Sequence, residues 1–222
     1  LKMSENRHIP QINPVEFSKV IRKCREFFER KGFHEVHTQN RLSILAACED
    51  PSTIATFNYA SRHWPLPQTG QMWLEHELLK NPDAPGFFCV STSYRNEKNP
   101  VEGRHDLIFP MFEFELKGDM NELMKIETEF LQHLGFEMKG SEYPGGNYLD
   151  VAKEYNVKEL EHEHEHRLGS EYGPVYFLKN FPEYTDPFWN MKRGENGTAN
   201  KVDVLLHGVE TIGSAERSID PK

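Results

Sequence analysis

YRNEKNPVEGRHDLIFPMFEFE, residues 94–115, decides how the rest of this chain is read. A strand-like run ends in Arg95 and Glu97, and Lys98, Asn99, Pro100 and Gly103 then break the pattern. Arg104 and His105 follow, and a second run carries Phe109, Phe112, Glu113 and Glu115. The two ends are expected to be strands joined by a charged loop. Such a hairpin can present a guanidinium, an imidazole, an aromatic face and carboxylates to one ligand. A nucleoside triphosphate asks for such a set: cations for its phosphates and a flat apolar surface for its base. Taken alone, the same residues read first as a solvated surface hairpin with ordinary charges.

Outward from the hairpin, 222 residues with 37% hydrophobic and 12% aromatic content suit one large domain or two small ones with a sizeable core. A net charge of −9 argues against a broad basic surface for nucleic acid, though not against a local basic groove. Cys24, Cys48 and Cys89 lie far apart with no CxxC, so neither a disulfide framework nor a zinc site is expected. A reducing, cytoplasmic setting fits that usage. No run of about 18 apolar residues and no signal-like start is present, so neither a membrane span nor secretion is expected. The chain begins at Leu1 rather than Met, which reads as a fragment or a trimmed chain.

Residues 1–14 read as a polar lead-in, and 15–222 as a single catalytic domain with no dividing linker. From Val15 to Arg30, Phe17, Val20, Ile21, Cys24, Phe27 and Phe28 recur at three and four residues, predicting an amphipathic helix. Asn13 is its N-cap, Pro14 its first residue, and Lys31-Gly32 its end. Phe33–Thr38 alternates like a strand, and residues 40–65 look irregular. Helices are expected at 71–80, 121–134 and, for most of its length, 149–168. Strands are expected at 86–94, 175–178, 188–192 and 201–206, with turns at 140–147 and 194–200. Helices and strands alternate without a regular βαβ repeat, which predicts an α+β fold: a mainly antiparallel sheet flanked by helices.

The hairpin resembles motif 2 of the class II aminoacyl-tRNA synthetases, in the aspartate/asparagine branch. That motif runs Arg-x-Glu, a variable loop, Arg-His, and a Phe a few residues on. Arg95, Glu97, Arg104, His105 and Phe109 stand in that order and spacing. The resemblance implies that Arg95 holds the ATP α-phosphate and Glu97 faces the adenine amino group. It implies that Arg104 and His105 reach the outer phosphates and that Phe109 stacks on adenine. Arg95 would neutralise the charge that grows as a carboxylate attacks the α-phosphorus. The glutamate that asparagine enzymes carry just before this Phe is Ile108 here.

LPQTGQMWLE, residues 66–75, resembles the Ser-Gly-Gln-x-x-Leu-Glu segment of the asparaginyl enzymes, which places Gln71 in the amino-acid pocket. Aspartyl enzymes have a lysine where this chain has Leu74, and loss of that cation leans the resemblance to asparagine. DVLLHGVETIGSAERS, residues 203–218, resembles a third segment. There the two acidic positions, Asp203 and Glu210, would coordinate Mg²⁺ bridging ATP phosphates, and Arg217 would grip the amino-acid side chain. Two carboxylates suit Mg²⁺, which keeps its other positions for phosphate and water. Glu49, after Cys48, resembles the glutamate that receives the substrate ammonium, and Glu113 the acidic residue near the substrate's amino or amide group. The 15–38 helix and strand stand in the place of motif 1, the family's dimer interface, with Gln39 and Asn40 where its proline is expected.

EHEHEHR, residues 161–167, invites a metal-binding reading, since His162 and His166 share a helix face. With charge all round and no further ligands of fixed spacing, a solvated helical face is expected instead. Motif 3, Gly-Leu-Gly-x-Glu-Arg, is absent; residues 213–217 imitate it but sit earlier, in the amino-acid pocket. The expectation is that the intact protein continues past Lys222 with that motif. The resemblance also lacks the anticodon-binding barrel. It implies three functions: an asparaginyl-type tRNA ligase, a tRNA-independent asparagine synthetase using aspartate and ammonia, or an inactive paralogue that binds amino acid or a partner protein. For the enzymes it implies ATP and Mg²⁺, asparagine or aspartate, for the first also tRNA, and a homodimer.

Overall fold

The computed structural model describes residues 11–38, 51–100 and 106–219, and their contacts separate two compact units, one ending at Lys117 and one beginning at Gly118.

In the first unit, helix α1 (Pro14–Arg30) starts where the Asn13 side chain accepts the amide hydrogens of Val15 at 3.0 Å and Glu16 at 3.3 Å. Its apolar stripe buries Ile21, Cys24, Phe27 and Phe28. Phe28 has no solvent exposure and packs against the rings of Phe27, Phe33, Phe88, Phe112 and Phe114. Truncating such a residue to Ala costs about 3–5 kcal/mol. The expected strand at 33–38 shrinks to β1 (His34–Glu35). Next come β2 (Thr56–Tyr59), β3 (Arg62–Pro65), α2 (Gln71–Lys80), β4 (Gly86–Tyr94) and β5 (Ile108–Leu116). β1 runs parallel to β4, and β4 pairs antiparallel with β5 from Gly86–Leu116 to Tyr94–Ile108. The hairpin β2–β3 corrects the irregular reading of 40–65 where that stretch is described. Its turn residues Ala60 and Ser61 take φ of 51° and 59°, a primed turn without the usual Asn or Gly.

The second unit contains α3 (Met120–Leu134), β6 (Gly145–Asn147), α4 (Tyr148–Glu154), α5 (His162–Tyr172), β7 (Val175–Pro182), β8 (Thr198–Leu206) and β9 (Val209–Ala215). Its four strands lie in the order β6-β7-β8-β9, with β6 parallel to β7 and the rest antiparallel. One face carries Val175, Phe177, Val202 and Val204 in a cluster with Leu131 of α3. The other carries Tyr176, Leu178, Phe181 and Leu205 in a cluster with Tyr148 and Val151 of α4 and Leu168 of α5. The expected helix at 149–168 is two helices, because 155–161 leaves the helix with Asn156 at φ 55°. The turn expected at 140–147 ends in β6. The strand expected at 188–192 is absent; Met191 makes only an isolated bridge to Arg217. There the Arg193 guanidinium takes the carbonyls of Phe188 and Met191, which curls the segment back on itself.

Candidate active site

Strand alternation sorts the hairpin's two faces. Phe88, Phe112 and Phe114 face α1, as their contacts with Phe28 show. The opposite face carries the cross-strand pairs Cys89–Glu113, Ser91–Met111 and Ser93–Phe109. Arg95 extends that row, since its amide donates to the Leu107 carbonyl at 2.8 Å. Its guanidinium lies 5.3 Å from the Phe109 ring centroid, a cation–π approach that holds a charge beside an aromatic plane. Glu97 is half-buried just beyond the strand end.

Two rungs inward from Met111, Glu113 is buried and heavily engaged. One of its oxygens accepts from the Thr69 hydroxyl; the other accepts the Gly70 amide hydrogen at 2.8 Å and the Ser91 hydroxyl at 2.5 Å. The Cys89 thiol lies 3.7 Å from that second oxygen, and burial with the adjacent carboxylate pushes its pKa up. Glu113 thereby ties residues 69–70, immediately before Gln71 at the first position of α2, to the hairpin. Leu74, one turn on, is fully buried against Phe87 and Cys89.

In the second unit, β8 and β9 are joined by a two-residue turn, His207 at φ 53° and Gly208 at φ 78°. This turn and the irregularity after Val204 bring Asp203 and Glu210 to the same place. Asp203 lies opposite Gly213, and a Cβ at 213 would sit 2.9 Å from Glu210 Oε1 and 3.7 Å from Asp203 Oδ1. Glycine keeps that space open. Asp203 is 4% exposed; Oδ2 takes the Lys201 ammonium at 2.6 Å, while Oδ1 has no hydrogen-bond partner. Burial pushes its pKa up to about 7, with Glu210 adding to the shift and Lys201 opposing it. Arg217 follows β9, half-buried and bridged to Met191.

The model for the family described as tRNA synthetases class II (D, K and N) matches residues 11–222. The chain belongs to this family. It is similar to the aspartate–tRNA(Asp) ligase of Thermoplasma volcanium, 25% identical over 234 residues that cover 92% of this chain and 53% of that protein. It is also similar to the asparagine–tRNA ligase of Koribacter versatilis, 29% identical over 117 residues, 52% of this chain and 25% of that protein. Among solved structures, asparaginyl-tRNA synthetase from Pyrococcus horikoshii complexed with asparaginyl-adenylate shares the fold. The TM-score is 0.76 at 22% identity, over 91% of this chain and 53% of that one. The chain thus spans about half the length of the aspartate-specific relative and of that structure, and less of the asparagine-specific one.

For this class II synthetase family member, the structure groups the sequence candidates into Arg95 with Phe109, Gln71 with Glu113, and Asp203 with Glu210. Glu49, Arg104 and His105 lie outside the described residues. Sequence reading missed three groups. Lys201 partners Asp203, and its position two residues earlier on the same strand face was a usable signal. Ser93, cross-strand from Phe109, is fully buried with no partner for its hydroxyl. Glu127 sits on the buried stripe of α3 among Leu123, Ile126, Phe130 and Leu131. It has no solvent exposure, and neither of its carboxylate oxygens has hydrogen-bond geometry. The nearby Ser214 hydroxyl donates instead to the Val202 carbonyl at 3.2 Å. Burial pushes the Glu127 pKa up to about 8, so it is held as the neutral acid at pH 7. No helix among the described residues is long and apolar enough to cross a membrane.

Proposed function

We propose that this chain uses ATP to activate an amino acid, asparagine in preference to aspartate, as its aminoacyl-adenylate, with release of pyrophosphate. The observation that carries this reading is the half-buried Arg95–Phe109 pair on the face of the β4–β5 hairpin opposite α1. Phe109 offers a plane for adenine, and Arg95 offers the charge that the α-phosphorus needs as a carboxylate oxygen attacks it. A new oxygen–phosphorus bond forms, the bond to the pyrophosphate oxygen breaks, and Arg95 stabilises the charge spread over the reacting phosphoryl group. Binding both reactants in place supplies the remainder.

Asp203 and Glu210 fit a divalent cation. Asp203 Oδ1 is buried without a partner, Glu210 Oε1 stands nearby, and Gly213 leaves the room. Bound there, Mg²⁺ would offset charge on the ATP phosphates. Lys201 holds the far oxygen of Asp203, so that carboxylate presents one oxygen in a fixed direction.

The preference for asparagine rests on Leu74. It is fully buried in an apolar cluster, so that position supplies no cation for an aspartate side chain. Glu113 acts by positioning, through its grip on the residues that lead into Gln71. Transfer to tRNA in the cytoplasm, by a homodimer, completes the reading. The test is exchange of labelled pyrophosphate into ATP with each amino acid. Stimulation by asparagine alone is expected. Stimulation by aspartate alone would overturn the asparagine preference and leave an aspartate–tRNA ligase or a synthetase that amidates aspartate, which charging of tRNA with aspartate separates; exchange with neither would leave a binding protein.

A further inference from the structure

The proposed activation chemistry leaves one built cluster unused, on the exposed side of α5. His162 and His166 stand one helical turn apart, and their Nε2 atoms are 2.8 Å apart with ring centroids at 4.1 Å. Two imidazoles approach so closely only when one ring nitrogen carries a hydrogen and the other offers a lone pair. We propose that His162 and His166 form a surface site for a divalent transition ion of tetragonal preference, copper(II) or nickel(II). The ion takes the place of the ring–ring hydrogen bond. The ring that carries the shared hydrogen moves it to its own Nδ1, so that both Nε2 lone pairs turn to the metal.

Four observations point this way. Adjacent ligands of a tetragonal ion with bonds of about 2.0 Å lie ~2.8 Å apart, whereas tetrahedral ligands lie ~3.3 Å apart, and the spacing here matches the first. Glu165 places a carboxylate oxygen 3.9 Å from His162 Nδ1, which favours the hydrogen on that nitrogen and leaves Nε2 bare. The backbone is held, because a Cβ on Gly208 would sit 2.7 Å from His166 Cα and Leu168 is buried in the core behind it. His164 is already committed: its Nδ1 accepts the Glu161 amide hydrogen at 2.8 Å and its ring stacks on Tyr155. No group of three or more metal-binding side chains converges among the described residues, so the pair supplies two ligands and water the rest. Imidazole pairs select such ions over hard Mg²⁺.

The experiment is calorimetric titration of untagged, metal-free protein with Ni²⁺ and with Cu²⁺, alongside electron paramagnetic resonance of the Cu²⁺ form. One ion per chain with two nitrogen couplings is expected. His162→Ala and His166→Ala should each weaken binding about tenfold or more and remove one coupling. Helix content by circular dichroism should be unchanged, since both side chains are exposed. The inference is overturned if no bound Cu²⁺ shows two nitrogen couplings, or if the double variant binds as the wild type does; an ion held at Asp203 and Glu210 carries no nitrogen coupling and survives in the double variant. The readout is the metal alone, so it stands or falls independently of pyrophosphate exchange.

Discussion

The carboxylate of Glu113 accepts the Gly70 amide hydrogen at 2.8 Å, and through that bond the second strand of the hairpin sets where α2 begins. Thr69 and Ser91 add hydroxyl donors to the same carboxylate, so its two oxygens gather three donors, of which the Gly70 amide can only donate. The residue next in line, Gln71, inherits its position from this arrangement.

Glu113→Gln replaces one of the two acceptor oxygens by an amide donor. A hydroxyl of Thr69 or Ser91 then has to turn from donor to acceptor or lose its partner, at a cost of about 1–3 kcal/mol. Denaturant unfolding should show that loss. Where folded protein remains, the KM for the amino acid should rise more than kcat falls, because Gln71 is displaced while the hairpin's Arg95 is not. An unchanged unfolding midpoint would remove the positioning role.

Arg95→Ala should lower pyrophosphate exchange by roughly 10²–10³-fold or more, as loss of a preorganised transition-state donor does. Arg95→Lys should recover little, because an ammonium lacks the planar fork. Both variants should stay folded, with Arg95→Ala losing about 0.5–1 kcal/mol from the contact with Phe109, since the side chain lies at a strand end outside the aromatic core. Near-normal exchange in Arg95→Ala would overturn the assignment of the hairpin.

Gly213→Ala tests the acidic pair without removing either carboxylate. The added methyl would stand 2.9 Å from Glu210 Oε1, forcing that side chain away from Asp203. The Mg²⁺ concentration that half-saturates exchange should rise about tenfold, while ATP affinity in the absence of metal stays put. Equal Mg²⁺ dependence in the two proteins would separate Asp203 and Glu210 from metal binding.

Glu127 gives stability a pH dependence of definite sign. Its folded pKa, about 8, stands above the unfolded carboxylate value. The unfolded chain therefore gives up this proton first, and stability is lost as pH rises from about 4.5 towards 8, then levels. A shift of this size corresponds to about 5 kcal/mol between those limits. Glu127→Gln should remove that slope, so that the melting temperatures of variant and wild type diverge between pH 6 and 9 with the variant higher at pH 9. Parallel curves would mean that Glu127 does not titrate in this range.

Much of this was legible locally. The Asn13-Pro14 start and the three-four spacing of α1, the full extent of α2, and both ends of β4 follow from patterns a few residues long, because caps and alternation act over one turn or one rung. The hairpin β2–β3 was not legible, because Ala60-Ser61 adopts a left-handed turn that its residue types do not advertise. The break between α4 and α5 was hidden by helix-forming residues on both sides. The expected strand around Phe188 failed because Arg193 captures the local carbonyls that a ladder would have used.

The chain's residues alone determined α1, α2, α3 and β4, the family motifs at Arg95, Gln71 and Asp203, and the likeness to an adenylate-forming catalytic core. Only the folded units decided which of those residues touch. Asp203 meets Glu210 because a primed turn and an irregular rung bring the two strands into that register. Glu113 meets Gly70 although 43 residues separate them. Glu127 and Lys201 acquire their chemistry from burial and from a neighbour, and neither exists until the chain is packed. Desolvation is a property of the surroundings, so sequence spacing carries no record of it.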